Sequence, residues 1–129
     1  MGSRAIVYEV FLVEDSPLLR KRVEEMLASI PGAALVGHAA DVAGAIQGIL
    51  AARPKAVVLD LRLAAEGNGF DVLREVRARL PEVAFYVLTN FANEAYRQTA
   101  QKLGARGFFD KSNEFEKLRF VLTAAAAPV

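Results

Sequence analysis

Five short apolar runs alternate with five longer stretches in which apolar residues recur at helical spacing, and few folds accept that order. "IVYEVFLVED", residues 6–15, reads as a first strand. Ser16 follows as a candidate N-cap with Pro17 at the first helical position, and Leu19, Val23, Met26, Leu27 and Ile30 then share one helical stripe. "PG" at 31–32 ends that helix. "AALVGHA" is a weak second strand, and Asp41 caps a helix to about Ala52 with Ile46, Ile49 and Leu50 inward. "AVVLDL" is the third strand, and "AAEGNG" a loop with two glycines. "FDVLREVRARL" is a helix with Phe70, Leu73, Val76 and Leu80 in register, stopped by Pro81. "VAFYVLT" is the fourth strand, "NEAYRQTAQKLG" a helix ended by Gly104, and "GFFDK" a short fifth strand. "NEFEKLRFVLTAAA" is the last helix, with Phe115, Leu118, Val121 and Leu122 inward.

Strands alternating with helices predict an α/β domain whose parallel sheet is covered on both faces. Right-handed crossovers leave few topologies, and a flavodoxin-like (βα)5 arrangement with strand order 2-1-3-4-5 leads them. The 129 residues suffice for one domain, with its core at about residues 5–123 and no output domain expected after the last helix. With no cysteine, disulfides and thiolate metal sites are excluded. A net charge of +1 gives no footprint for direct nucleic-acid binding. No apolar run approaches the roughly 18 residues of a membrane span, and the N-terminus lacks a signal-peptide layout. The expected location is cytoplasmic.

A carboxylate beside a doubly covered strand is costly unless something compensates it, and the third strand runs into Asp60. In a parallel sheet all strand carboxyl ends lie on one edge, where ligands bind at the switch point between strands 1 and 3. Strand 1 ends in Glu14 and Asp15, strand 3 in Asp60, strand 4 in Thr89 and strand 5 in Lys111. Taken singly these are ordinary: Asp15 or Ser16 as a helix cap, Asp60 as a turn residue, Lys111 as a surface lysine. Four strands all ending this way point to a site. Three converging carboxylates repel, and one proton or one cation must resolve the conflict; a hard divalent cation with oxygen ligands does so best. Mg²⁺ takes one or two carboxylates and keeps waters plus a substrate phosphate, which fits this cluster better than a closed metal cage does.

From about Val7 to Leu122 the pattern resembles the receiver domain of two-component response regulators. The resemblance is carried by "LVEDSP", "VVLDLRL…GNGFDVLREVR", "YVLTN" and "GARGFFDKS". It implies that Asp60 is the phosphoacceptor, taking a phosphoryl group from the phosphohistidine of a histidine kinase or phosphotransfer protein. It further implies Mg²⁺ held by Asp15, by Glu14 through water, by Asp60 and by the backbone carbonyl of Arg62. Lys111 and Thr89 would contact phosphoryl oxygens. Thr89 and Phe108 would form a switch: Thr89 drawn inward vacates space for the Phe108 ring, with Phe109 on the opposite face by strand alternation. The face built from the fourth helix, fifth strand and fifth helix would then differ between states, altering binding to an unknown downstream protein target or to a second copy of the chain. The expected chemistry is autocatalytic phosphorylation and dephosphorylation of a signalling protein rather than turnover by an enzyme.

Some features depart from the family or carry no function. Where members often have a cis-proline after the lysine, this chain has Ser112, and a cis bond before a non-proline costs roughly 2.5–4 kcal/mol. Arg62 and Phe91 occupy variable positions from which side chains gate the attacking water. His38, on the weak second strand, reads as an ordinary structural or surface residue. A haloacid dehalogenase-type phosphatase needs a second aspartate where this chain has Arg62, and a cap domain for which there is no room. A flavin or dinucleotide binder needs a phosphate-cradling loop where "EDSPLL" places two negative charges. The remaining alternative is a pseudo-receiver, a phosphorylation-independent interaction module on the same fold, and the presence of Glu14, Asp15, Asp60, Thr89 and Lys111 argues against it.

Overall fold

The computed structural model of the chain describes residues 8–127. The elements run β1 (Tyr8–Val13), α1 (Pro17–Ala28), β2 (Ala33–Ala39), α2 (Val42–Ala52), β3 (Ala56–Leu59), α3 (Gly69–Arg79), β4 (Ala84–Thr89), α4 (Glu94–Lys102), β5 (Gly107–Asp110) and α5 (Phe115–Ala126), with a 3₁₀ turn at Ala64–Glu66. The strands form one parallel sheet in the expected order, β2-β1-β3-β4-β5. The first strand is described from Tyr8, and Ile6 and Val7, which the reading included in it, lie outside the described residues.

Alternation along each strand divides the core in two. Val10, Leu12, Val58, Tyr86, Leu88 and Phe109 face α1 and α5, packing on Leu19, Val23, Leu27, Leu118 and Leu122. Phe11, Val13, Val57, Leu59, Phe85, Val87 and Phe108 face the other layer, with Ile49, Phe70, Leu73 and Val76. All four residues of β3 are buried, as its unbroken apolar run requires. The predicted helical stripes are the buried ones; Ile46, Leu50 and Val121 pack against the core at its margins.

Side chains close most helix N-termini. Ser16, Asp41, Asn68 and Asn93 each accept from a backbone N–H in the first turn of α1, α2, α3 and α4. The expected loop after β3 is more structured than its glycines suggest. Its positive φ angles fall on Ala65 (58°) and Glu66 (57°), whereas Gly67 has φ −72°. The two glycines supply room instead: a Cβ on Gly67 would meet Val42, and one on Gly69 would meet the backbone of Asp60.

Register brings the site together. Val13 lies level with Leu59, Leu59 with Val87, and Val87 with Phe108. Glu14 and Asp60 are therefore the first residues past one common row, and their amides continue the ladder, donating to Ala39 O and Val13 O at 2.9 Å each. The strands thus stop one residue short of the polar residues, which sit just beyond the ends of β1, β3 and β5. Thr89 alone remains inside its strand.

Candidate phosphoacceptor site

Asp60 is 5% exposed and anchored at both carboxylate oxygens. Oδ1 accepts from the backbone N–H of Leu61 at 2.7 Å and, more distantly, of Arg62 at 3.5 Å; Oδ2 accepts from Lys111 Nζ at 2.7 Å. Lys111 also reaches Glu14 Oε1 at 2.8 Å, so one ammonium bridges two buried carboxylates. The other Glu14 oxygen accepts from Ser16 N–H at 2.9 Å. Asp15 is exposed, yet Glu14, Asp15 and Asp60 each offer an oxygen within 4.8 Å of the others.

The electrostatics are unbalanced. Burial pushes the Glu14 carboxyl above the usual range and the Asp60 charge adds to that, against the lowering effect of Lys111 and of the Ser16 amide. Burial by itself would lower the Lys111 ammonium, but Asp60 and Glu14 outweigh it and raise it. Three carboxylates gather at the sheet edge and one ammonium pairs with two of them, so a cation would relieve the remaining repulsion. The donor set is all oxygen, which suits a hard cation. The Arg62 carbonyl accepts no hydrogen bond among the described residues, whereas the neighbouring Leu61 carbonyl is taken by Gly69 N–H at 2.8 Å.

Thr89 is fully buried, and its hydroxyl accepts from Phe91 N–H at 3.1 Å. Its carbonyl accepts from Lys111 N–H at 3.0 Å, tying the ends of β4 and β5 together. Phe108 and Phe109 take opposite faces. The Phe108 ring is inward, 6% exposed, beneath the Arg97 guanidinium. Arg62 stacks on Phe91 at 4.3 Å, so the segments after β3 and β4 touch beside the site. A cavity of about 290 Å³ is lined by Ser16, Leu18, Arg22, Asn90, Lys111 and Ser112. The Lys111–Ser112 bond is trans, as is every peptide bond among the described residues. His38 is exposed on β2, with its Nδ1 3.5 Å from Arg20 Nη1.

The family model for the response regulator receiver domain matches residues 10–123. The chain belongs to that family. Among curated relatives, the DNA-binding transcriptional activator DevR/DosR of Mycobacterium tuberculosis is 35% identical over 103 residues, covering 80% of this chain and 47% of that protein. The nitrate/nitrite response regulator protein NarL of Escherichia coli is 30% identical over 118 residues, covering 92% and 54%. The chain therefore spans about half the length of these relatives. The crystal structure of a LuxR-family two-component response regulator from Aurantimonas superposes with a TM-score of 0.83 at 27% identity, covering 92% of this chain and 84% of that one. The receiver domain thus has the fold and the sheet-edge cluster that the residues imply. Among the described residues no helix is long and apolar enough to cross a membrane.

Two contributors escape a reading by strand ends. Gly69 lets α3 approach the Asp60 backbone, and its only sequence signal is a glycine at the first helical position after a capping asparagine. Arg97 covers Phe108 from α4, and nothing in the sequence separates it from the other arginines.

Proposed function

We propose that this receiver domain accepts a phosphoryl group on Asp60 from the phosphohistidine of a histidine kinase or phosphotransfer protein. The carrying observation is a buried carboxylate held at both oxygens, paired with an ammonium that also reaches Glu14, and with an oxygen of Glu14 and of Asp15 close by. A carboxylate oxygen of Asp60 attacks phosphorus, the phosphorus–nitrogen bond of the donor breaks, and its electron pair leaves with the imidazole. Backbone N–H groups of Leu61 and Arg62 fix the carboxylate for attack. Lys111 is already within hydrogen-bond reach of Asp60 and moves with the transferring oxygens. Thr89, once released from the Phe91 amide, supplies a hydroxyl to another of those oxygens.

Mg²⁺ fits the cluster: Asp15, Asp60, Glu14 through water and the Arg62 carbonyl would hold it, and it would neutralise charge on the phosphoryl oxygens. Phosphorylation would bias Thr89 and Phe108, and with them the α4–β5–α5 face. That face would engage a downstream protein or a second copy of the chain. The relatives' DNA binding is not carried over, since the charges of this chain balance to +1. A cytoplasmic location suits a partner of kinases.

The test is intact mass after incubation with acetyl phosphate and Mg²⁺, with Asp60→Asn in parallel. One added phosphoryl group that needs Mg²⁺ and is missing from the variant is expected. No adduct, together with no spectral response to beryllofluoride and Mg²⁺, would leave a phosphorylation-independent interaction module.

A further inference from the structure

Arg97 makes two contacts with one residue. Its guanidinium lies 4.8 Å from the centroid of the Phe108 ring, and its Nη1 donates to the Phe108 carbonyl at 3.3 Å. Few side chains combine these, because a planar cation covers a ring with its face and still donates from its edge; a lysine ammonium has no such face. The competing partner is weak: Glu94 lies 3.8 Å from Arg97 Nε and is 72% exposed, where screening removes most of an ion pair's value.

α4 has few other attachments, among them the Tyr96 ring set edge to face against Phe70 of α3 at 6.0 Å. Of its nine residues only Ala100 is buried. A cavity of about 300 Å³, lined in part by Arg97, Ala100, Gln101, Arg106 and Phe108, runs between the helix and β5. Space there lets α4 shift without forcing core atoms together. Arg97 supplies both a ring contact and a hydrogen bond from α4 to Phe108, beside the apolar packing of Ala100 in the same core cluster.

We infer that Arg97 is the positioning residue that couples burial of the Phe108 ring to the seating of α4. This rests on the proposed switch role of Phe108. The ring is buried in the structure, and Arg97 holds it there. Removing Arg97 lowers the population of the ring-inward conformer. Any ligand that prefers that conformer then binds more weakly in proportion.

The experiment uses the full chain with Arg97→Ala, Arg97→Lys, Phe108→Leu and the Arg97→Ala/Phe108→Leu pair. Without ligand, the Arg97 Nε–H proton resonance is expected to be shifted by the ring current of Phe108 and to return to its ordinary position in Phe108→Leu. Beryllofluoride with Mg²⁺ is then titrated while the α4 amides are followed. Arg97→Ala is expected to weaken binding roughly three- to tenfold, Arg97→Lys less, and the double variant no more than Phe108→Leu alone. If Phe108→Leu weakens binding and Arg97→Ala does not, or if the two losses add, the coupling through Arg97 is wrong while the Phe108 switch stands. If neither variant changes binding, the switch itself fails and the coupling with it.

Discussion

At Gly69 a Cβ would collide with the carbonyl oxygen of Asp60 and come within 3.0 Å of Leu61 Cα. These are backbone atoms of Asp60 itself and of the residue after it, and they cannot swing aside as a side chain can. Gly69→Ala is therefore expected to lower unfolding stability by about 1–3 kcal/mol, the usual cost of overpacking. It should also slow acetyl-phosphate labelling of Asp60 at temperatures where the variant is still folded. Gly67→Ala is the comparison, since its Cβ would meet the Val42 side chain and its φ suits any residue. Urea titration and labelling rates that match between the two variants would show that close approach at Gly69 does not position Asp60. The site residues themselves were legible because a carboxylate, hydroxyl or ammonium after an apolar run stands out in one dimension. Their pairing was not. Sequence places Lys111 at the right edge, but only the register of β1, β3 and β5 shows it bridging Glu14 and Asp60.

The helices differ in what holds them. α3 buries five residues and α1 four, whereas α4 buries Ala100 alone and is held besides by the Asn93 cap, by Arg97 and by the edge-to-face contact of Tyr96 with Phe70. Local opening follows such differences, because a helix with few buried contacts unfolds at less cost than the whole domain. The amides of residues 94–102 are expected to exchange with deuterium faster than those of α1 or α3. Asn93→Ala should speed that exchange further while moving the global melting temperature little, since the lost cap, worth about 1 kcal/mol, belongs to an already weak unit. Exchange in α4 as slow as in α3 would mean that its attachment is not thin. Helix existence and stripes were readable from spacing, but strength of attachment was not, because exposure of Tyr96 or Arg97 depends on what lies beneath. β2 was hard to read for a related reason. Gly37 weakens its strand signal, yet it is there to admit the ring of Phe11, whose Cε2 would lie 2.7 Å from a Cβ at that position.

Across the molecule, the two ends of the sheet carry different burdens. The C-terminal edge holds the charged cluster. At the other end of β1, about 17–20 Å away for a strand of this length, Tyr8 is buried beside Tyr86. Burial first, then the charge and hydrogen bonding of Tyr86, raise its phenol far above the ordinary 10.0, against a small lowering by Arg106. Strand order was readable from the alternation of elements, but this pairing of tyrosines on β1 and β4 needed the side-chain faces of two strands separated by β3. The raised value links stability to pH. Above pH 10 the unfolded chain loses the Tyr8 proton while the folded chain keeps it, so folding is weakened as pH rises, by up to about 1.4 kcal/mol per pH unit for that proton. Lys111, also raised, adds a loss of the same sign at still higher pH. Tyr8→Phe removes the first contribution and leaves the charged edge untouched. Urea midpoints from pH 9 to 11 should therefore fall less steeply in Tyr8→Phe than in the wild type, while Mg²⁺-dependent labelling of Asp60 at neutral pH stays the same. Parallel midpoints would show that the Tyr8 phenol ionises as freely in the folded protein as in the unfolded chain, and alkaline lability would then belong to the Lys111 bridge.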